Sequence, residues 1–353
     1  MNQPETSGYF HRVAEQTPTV LWVNNPTPAQ AQTALEAGAM GISTNPTYPS
    51  KLPVDYLNKL IDTARESLDD DEQIGEAVYQ ESVRRLLPIY QPLYEQTQGR
   101  HGQVAIQTNP RTNTDPDSII ESALRFYEMG QNVIVEVPAT PAGAQAMEEL
   151  TAMDRPTIAT LCFLVDQAVY MAEAYRRGLQ RATTRPVCYV TFISGILEDY
   201  LKKQNEQIGN AVPLEVIQQA GCAVHRVVNR IFQQRGYEAI LLGGGARGLH
   251  HFTDLIGGDH TITIGWAMIE QLLQEDPPVV SRIDEPTPAE VIATFDQHLA
   301  DFGRSYREHS LSPQEFCDFP LVKMFQQSFI DGVDKVCKVL GERKKSTGRL
   351  TRS

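Results

Sequence analysis

The sequence predicts an α/β protein, a closed (β/α)8 TIM barrel, and three observations carry that reading. Short β-branched apolar runs recur between longer stretches of helical periodicity, which is the sequence form of parallel βα units. Eight such runs can be counted: Thr19–Asn25, Met40–Asn45, Gln103–Asn109, Asn132–Val137, Thr157–Phe163, Val187–Ser194, Ala239–Gly243 and Thr261–Trp266. Each is apolar on both faces, as strands are when helices cover them outside and packed side chains fill the barrel inside. A doubly wound open sheet would want fewer strands and a glycine fingerprint after the first, whereas the first run here ends Asn24-Asn25-Pro26.

Two additions to a minimal barrel are expected: a helical insertion at about 57–96 between the second and third runs, and C-terminal helices at about 286–341 that form a cap. Pro277-Pro278 and Pro286-Thr287-Pro288 mark turns within one domain spanning 1–353, and 353 residues suit one barrel with helical additions. The chain is 41% hydrophobic and 21% charged, ordinary for a globular protein. Its formal net charge of −13 opposes binding to a phosphate backbone, so nucleic acid is not an expected partner. The basic stretch from Glu342 to Arg349 reads as a solvated terminus. Five scattered cysteines, never in a CxxC pair, suggest neither a disulfide frame nor a zinc site and fit a reducing, cytoplasmic setting. Met1 to Thr17 is polar and no run is long enough to span a bilayer, so neither secretion nor a membrane is expected.

Barrel enzymes carry their sites at the C-terminal ends of strands and in the loops that follow. The polar residues there are Asn24, Asn25, Ser43, Thr44, Asn45, Gln107, Asn109, Glu136, Thr160, Thr191 and Ser194. Glu136 stands out, because Val133-Ile134-Val135-Glu136-Val137-Pro138 sets a carboxylate inside an apolar strand. A raised pKa is expected for it unless a cation or several donors lie close. Gly243-Gly244-Gly245-Ala246-Arg247-Gly248 follows the seventh run, where backbone N–H groups of such loops can hold an anion and Arg247 could add a two-pronged contact. His250 and His251 begin the next helix and read as a surface pair able to move protons. No two His, Asp or Glu residues on candidate strand ends have ligand spacing, so neither a metal nor another cofactor is expected.

Gly41-Ile42-Ser43-Thr44-Asn45-Pro46-Thr47 and Val135-Glu136-Val137-Pro138-Ala139-Thr140 resemble transaldolase motifs. Gln103–Gln107, Thr160–Phe163 and Leu242–Arg247 extend the resemblance, which runs in order from about residue 19 to 275. The resemblance implies a barrel that would bind a ketose phosphate as an imine on a fourth-strand lysine, and here Glu136 holds that position. The family's first-strand aspartate corresponds to Asn24 or Asn25, its third-strand glutamate to Gln107, and its fifth-strand asparagine to Ile158, while its threonine is kept as Thr160. The phosphate arginine after the sixth strand corresponds to Gly195, beside Ser194; the other is kept as Arg247, with Gly245 in place of a serine. Asn45 matches the family's second-strand asparagine.

None of the nine lysines, which include Lys51, falls in a candidate strand. The expected function is therefore a transaldolase-like enzyme with a rewritten site, using Glu136 as general acid or base on a small polyhydroxylated or carbonyl substrate, phosphorylated or not. Gln107, Thr160 and Asn45 would act with it, and Asn24, Asn25, Ser194, Gly245 and Arg247 would bind substrate. The alternatives are a non-catalytic sugar-phosphate-binding or scaffold homologue and a transaldolase moving a dihydroxyacetone unit. A homo-oligomer is compatible with each.

Overall fold

The computed structural model describes residues 8–350, with side chains as far as residue 335. The basic segment from Glu342 to Arg349 and Cys337 lie outside the residues whose side chains are described. Eight parallel strands close into a barrel in chain order: β1 Val20–Asn24, β2 Ile42–Ser43, β3 Val104–Gln107, β4 Val133–Pro138, β5 Thr157–Cys162, β6 Cys188–Ile193, β7 Ile240–Gly244 and β8 Thr261–Gly265. Each overlaps the apolar run expected for it. Among the described residues no helix is long and apolar enough to cross a membrane.

Alternation along each strand sorts its residues into two cores. Val133, Val135 and Val137 of β4 face the surrounding helices, whereas Ile134 joins Trp22, Ala105, Ile158, Tyr189 and Leu242 in a separate inner cluster. Trp22 and Tyr189 pack with ring centroids 4.9 Å apart. This bulk requires a gap opposite, which Gly41 provides: a Cβ there would stand 2.4 Å from the Trp22 ring. Two residues further along each strand the inward positions change character, to Asn24, Ser43, Gln107, Glu136, Thr160, Thr191, Gly244 and Thr263, all lining one cavity. An apolar floor thus carries a ring of mostly polar groups at the C-terminal mouth.

The helical insertion is present but broken into three helices, Val54–Arg65, Asp71–Arg84 and Leu87–Gln96. Asp70 breaks it, since its carboxylate accepts from the amides of Glu72 and Gln73 and so starts a new helix. The C-terminal additions are Ala289–His298, Ala300–Tyr306, a 3-10 turn at Pro313–Asp318, and the helix Pro320–Leu350. That last helix crosses the mouth: Phe325 and Phe329 line the cavity, and Gln326 donates to the Pro110 carbonyl at 3.1 Å.

Strand β5 is irregular near its end, where its register against β6 shifts between Ala159 and Cys162 and Leu161 takes a left-handed φ of 59°. The fully buried Gln167 holds this bulge to β4: its amide donates to Ala139 O at 2.8 Å and Leu161 O at 3.2 Å, and accepts from Phe163 N at 2.9 Å. Gln167→Leu would leave three buried backbone groups unpaired beside Thr160. It is expected to lower stability by about 3 kcal/mol, read from urea midpoints at constant slope.

Candidate active site

The cavity at the barrel mouth opens to solvent and is walled by the polar layer together with Phe325 and Phe329. Glu136 projects into it from β4 and is 7% exposed. Burial pushes its pKa up from 4.5 to about 8, opposed in part by a hydrogen bond from the Thr160 hydroxyl. Among the described residues no lysine, arginine or histidine lines the cavity, so no cation offsets the burial.

The other expected residues divide by placement. Asn24, Asn45, Gln107, Thr160 and Gly245 line the cavity with Glu136. The Gln107 Oε1 and Thr191 Oγ1 atoms are buried without a hydrogen-bond partner. Asn45 is half committed, because its Oδ1 accepts from the amide and hydroxyl of Thr47 at 3.1 and 2.6 Å. Asn25, Ser194 and Arg247 do not line the cavity. Asn25 has a left-handed φ of 49° and its Oδ1 accepts from Asn45 N at 3.3 Å, so it braces the β1 and β2 loops against each other. Ser194 is buried against Gly221, whose added Cβ would meet the Ser194 Cβ at 2.8 Å. Arg247 pairs through Nε with Asp199 at 2.5 Å and curls back onto the carbonyls of Gly245 and Ala246.

The glycine-rich turn after β7 lies down on Gly195. A Cβ at 195 would stand 2.4 Å from Gly245 O and 2.9 Å from Arg247 N, so no side chain fits where the resemblance places a phosphate arginine. The Arg247 amide is directed to His251 Nδ1 at 3.4 Å, and is thereby withdrawn from an anion site at the mouth. Lys51, on the exposed turn after β2, has its pKa lowered by partial burial and then by the charge of Arg247.

Three groups escaped the sequence reading. Tyr79 reaches in from the insertion, its OH accepting from Gln107 N at 3.2 Å and lying 3.0 Å from Thr44 Oγ1, which donates to Ala105 O. At helical spacing among Ile74, Val78 and Val83 it reads as a core aromatic, and nothing in the sequence marks it otherwise. Phe325 and Phe329 line the mouth from the last helix, and at helical spacing they read in the sequence as core aromatics. Glu198 lies between His250 and His251, and with His251 only 2% exposed the two histidines are not the surface pair expected. A second, narrow cavity lies behind Tyr79 among Pro46, Pro49, Phe126 and Val333. Its carboxylates, Glu72 and Glu76, are paired with Arg111 and Arg125.

A model of the transaldolase/fructose-6-phosphate aldolase family matches residues 22–310. A transaldolase of Mycobacterium ulcerans is 27% identical over 206 residues, 55% of either chain. One of Thiobacillus denitrificans is 31% identical over 156 residues, 43% of either chain. The chain thus spans about half the length of these relatives. One of Mycobacterium leprae is 24% identical over 332 residues, 87% of this chain and 86% of its own.

The buried carboxyl makes stability depend on pH in a direction that can be measured. A folded-state pKa of about 8 against 4.5 unfolded means the folded state holds the proton more tightly. The contribution is complete below about pH 4.5 and is lost as pH rises through about 8, a difference on the order of 4 kcal/mol. Wild-type urea midpoints should therefore fall across that window, and those of Glu136→Gln should fall distinctly less.

Proposed function

The chain belongs to the transaldolase/fructose-6-phosphate aldolase family, and on that premise we propose an enzyme that uses Glu136 as a general acid, without an imine, on a small polyhydroxylated carbonyl substrate. The observation that carries this reading is the Glu136 carboxyl in the mouth cavity, its pKa raised to about 8 by burial. Such a group keeps its proton at neutral pH and can give it to a carbonyl or departing hydroxyl oxygen. The resulting carboxylate, steadied by the Thr160 hydroxyl, recovers a proton to complete the cycle. A carboxyl cannot form an imine, which separates this chemistry from the Schiff-base route that the resemblance implies.

Gln107 and Thr191, with unpaired oxygens at the cavity wall, would orient substrate hydroxyls. Asn24 and the free amide of Asn45 would add donors, and Tyr79 would fix the Gln107 backbone. Arg247, at the rim and tied to Asp199, would meet a phosphate or carboxylate only at the substrate's outer end. Within the family the natural substrate class is a sugar phosphate, and screening should begin there.

Glu136→Gln should cut turnover by about a hundredfold or more while circular dichroism stays unchanged. An unaltered rate would remove Glu136 from the chemistry. In the active enzyme the rate should fall as pH rises through about 8. Thr160→Val, which removes the hydroxyl that lowers the pKa, should move that fall to higher pH.

One observation favours the imine route instead, the lowered pKa of Lys51, because a lysine nucleophile must be unprotonated. Borohydride treatment with fructose 6-phosphate separates the two. No mass increase is expected on the acid-catalysed reading, and a reduced adduct on Lys51 would overturn it.

A further inference from the structure

Outside the mouth cavity, behind the Gly244–Arg247 turn, the Glu198 carboxylate stands 3.1 Å from His250 Nε2 and 3.1 Å from His251 Nε2. One ligand atom from each residue lies within 4.8 Å of the other two. The groups come from separate elements, Glu198 from the helix Ser194–Gln207 after β6 and the histidines from the short helix His250–Thr253 after β7. Glu198 is 6% exposed and His251 is 2% exposed. Among the described residues no lysine or arginine pairs with Glu198. The buried His251 Nε2 has no hydrogen-bond partner: the carboxylate oxygen is close but not aligned with it. An imidazole nitrogen taken from water and left unbonded beside a carboxylate is costly in an otherwise well-packed interior.

We propose that Glu198, His250 and His251 bind a divalent transition-metal ion, with zinc the best match to the donors. Two imidazoles and one carboxylate form a three-ligand set that leaves a further position for water. Around a tetrahedral ion with metal–ligand distances of about 2.0–2.1 Å, donor atoms stand roughly 3.3 Å apart. Both histidine–carboxylate separations of 3.1 Å are already close to that spacing, so the two helices need little movement. Cys222 is not a fourth ligand. Its thiol is directed away from the cluster, to the His250 carbonyl at 3.7 Å.

Binding would be felt at the barrel mouth. Coordination through Nε2 moves the neutral imidazole's proton to Nδ1. His251 Nδ1 now accepts from the Arg247 amide at 3.4 Å; once protonated it can no longer accept, and the contact is released. The ion therefore clamps two helices together while freeing an amide in the turn whose Gly244 and Gly245 line the cavity.

The test uses the tag-free full chain, stripped with a chelator and titrated with Co²⁺ by visible absorption and with Zn²⁺ by thermal unfolding. Binding of one ion per chain, with intense tetrahedral Co²⁺ bands and a rise in Tm, is expected. Glu198→Gln and His250→Gln should each weaken Co²⁺ binding at least about tenfold. His250 is only half-buried, so His250→Gln remains decisive even where Glu198→Gln fails to fold. The proposal is overturned where wild type shows no bands and no Tm change, or where His250→Gln binds Co²⁺ as tightly as wild type.

Discussion

The Trp22 indole fills the interior of the barrel below its mouth, and the height of the polar layer depends on it. Gly41 and Ala105 leave the space that the indole and Tyr189 occupy, and Ile134, Ile158 and Leu242 complete the floor. Because strand side chains alternate, a closed apolar layer dictates where the next inward layer begins. That layer carries one residue from each strand and is polar almost all the way round. Ile158, about where the family resemblance would put an amide, belongs to this floor.

Within the polar layer, charge is governed by what is missing near Glu136. Water is largely excluded, the one hydroxyl that bonds the carboxyl belongs to Thr160, and no cationic side chain among the described residues lines the cavity. Desolvation then outweighs the hydrogen bond and the proton is retained near neutral pH. The amide Gln107 and hydroxyl Thr191 present oxygens that add no charge, while the Arg247 guanidinium stays outside the cavity, paired with Asp199.

The placement of Arg247 has a steric origin. Without a side chain at 195, the turn after β7 packs directly onto the helix after β6, and its Arg247 amide turns to His251 instead of the mouth. Glu198 lies one helical turn beyond Gly195, so the same packing brings it against the two histidines. The absence of a side chain at Gly195 thus couples the shape of the mouth to a buried carboxylate–imidazole cluster behind it.

The barrel was legible because its signal is repeated: eight apolar runs, each bounded by turns and each spaced by a helix, reinforce one another. Glu136 was legible too, since a lone carboxylate in a six-residue apolar strand is a contradiction visible in the sequence. Asn25, Ser194 and Arg247 looked equivalent to the cavity residues because a sequence gives position along a strand but not the direction of a loop; a left-handed φ, a helix packed on Gly221 and an ion pair with Asp199 turned them elsewhere. Tyr79, Phe325, Phe329 and Glu198 reach their places from segments far away in the chain. The sequence by itself determined the strands, the floor and the acid at the centre, because these follow from local periodicity and the cost of burying charge. Only the tertiary structure decided which polar groups meet, because such contacts depend on how separate helices close over the barrel.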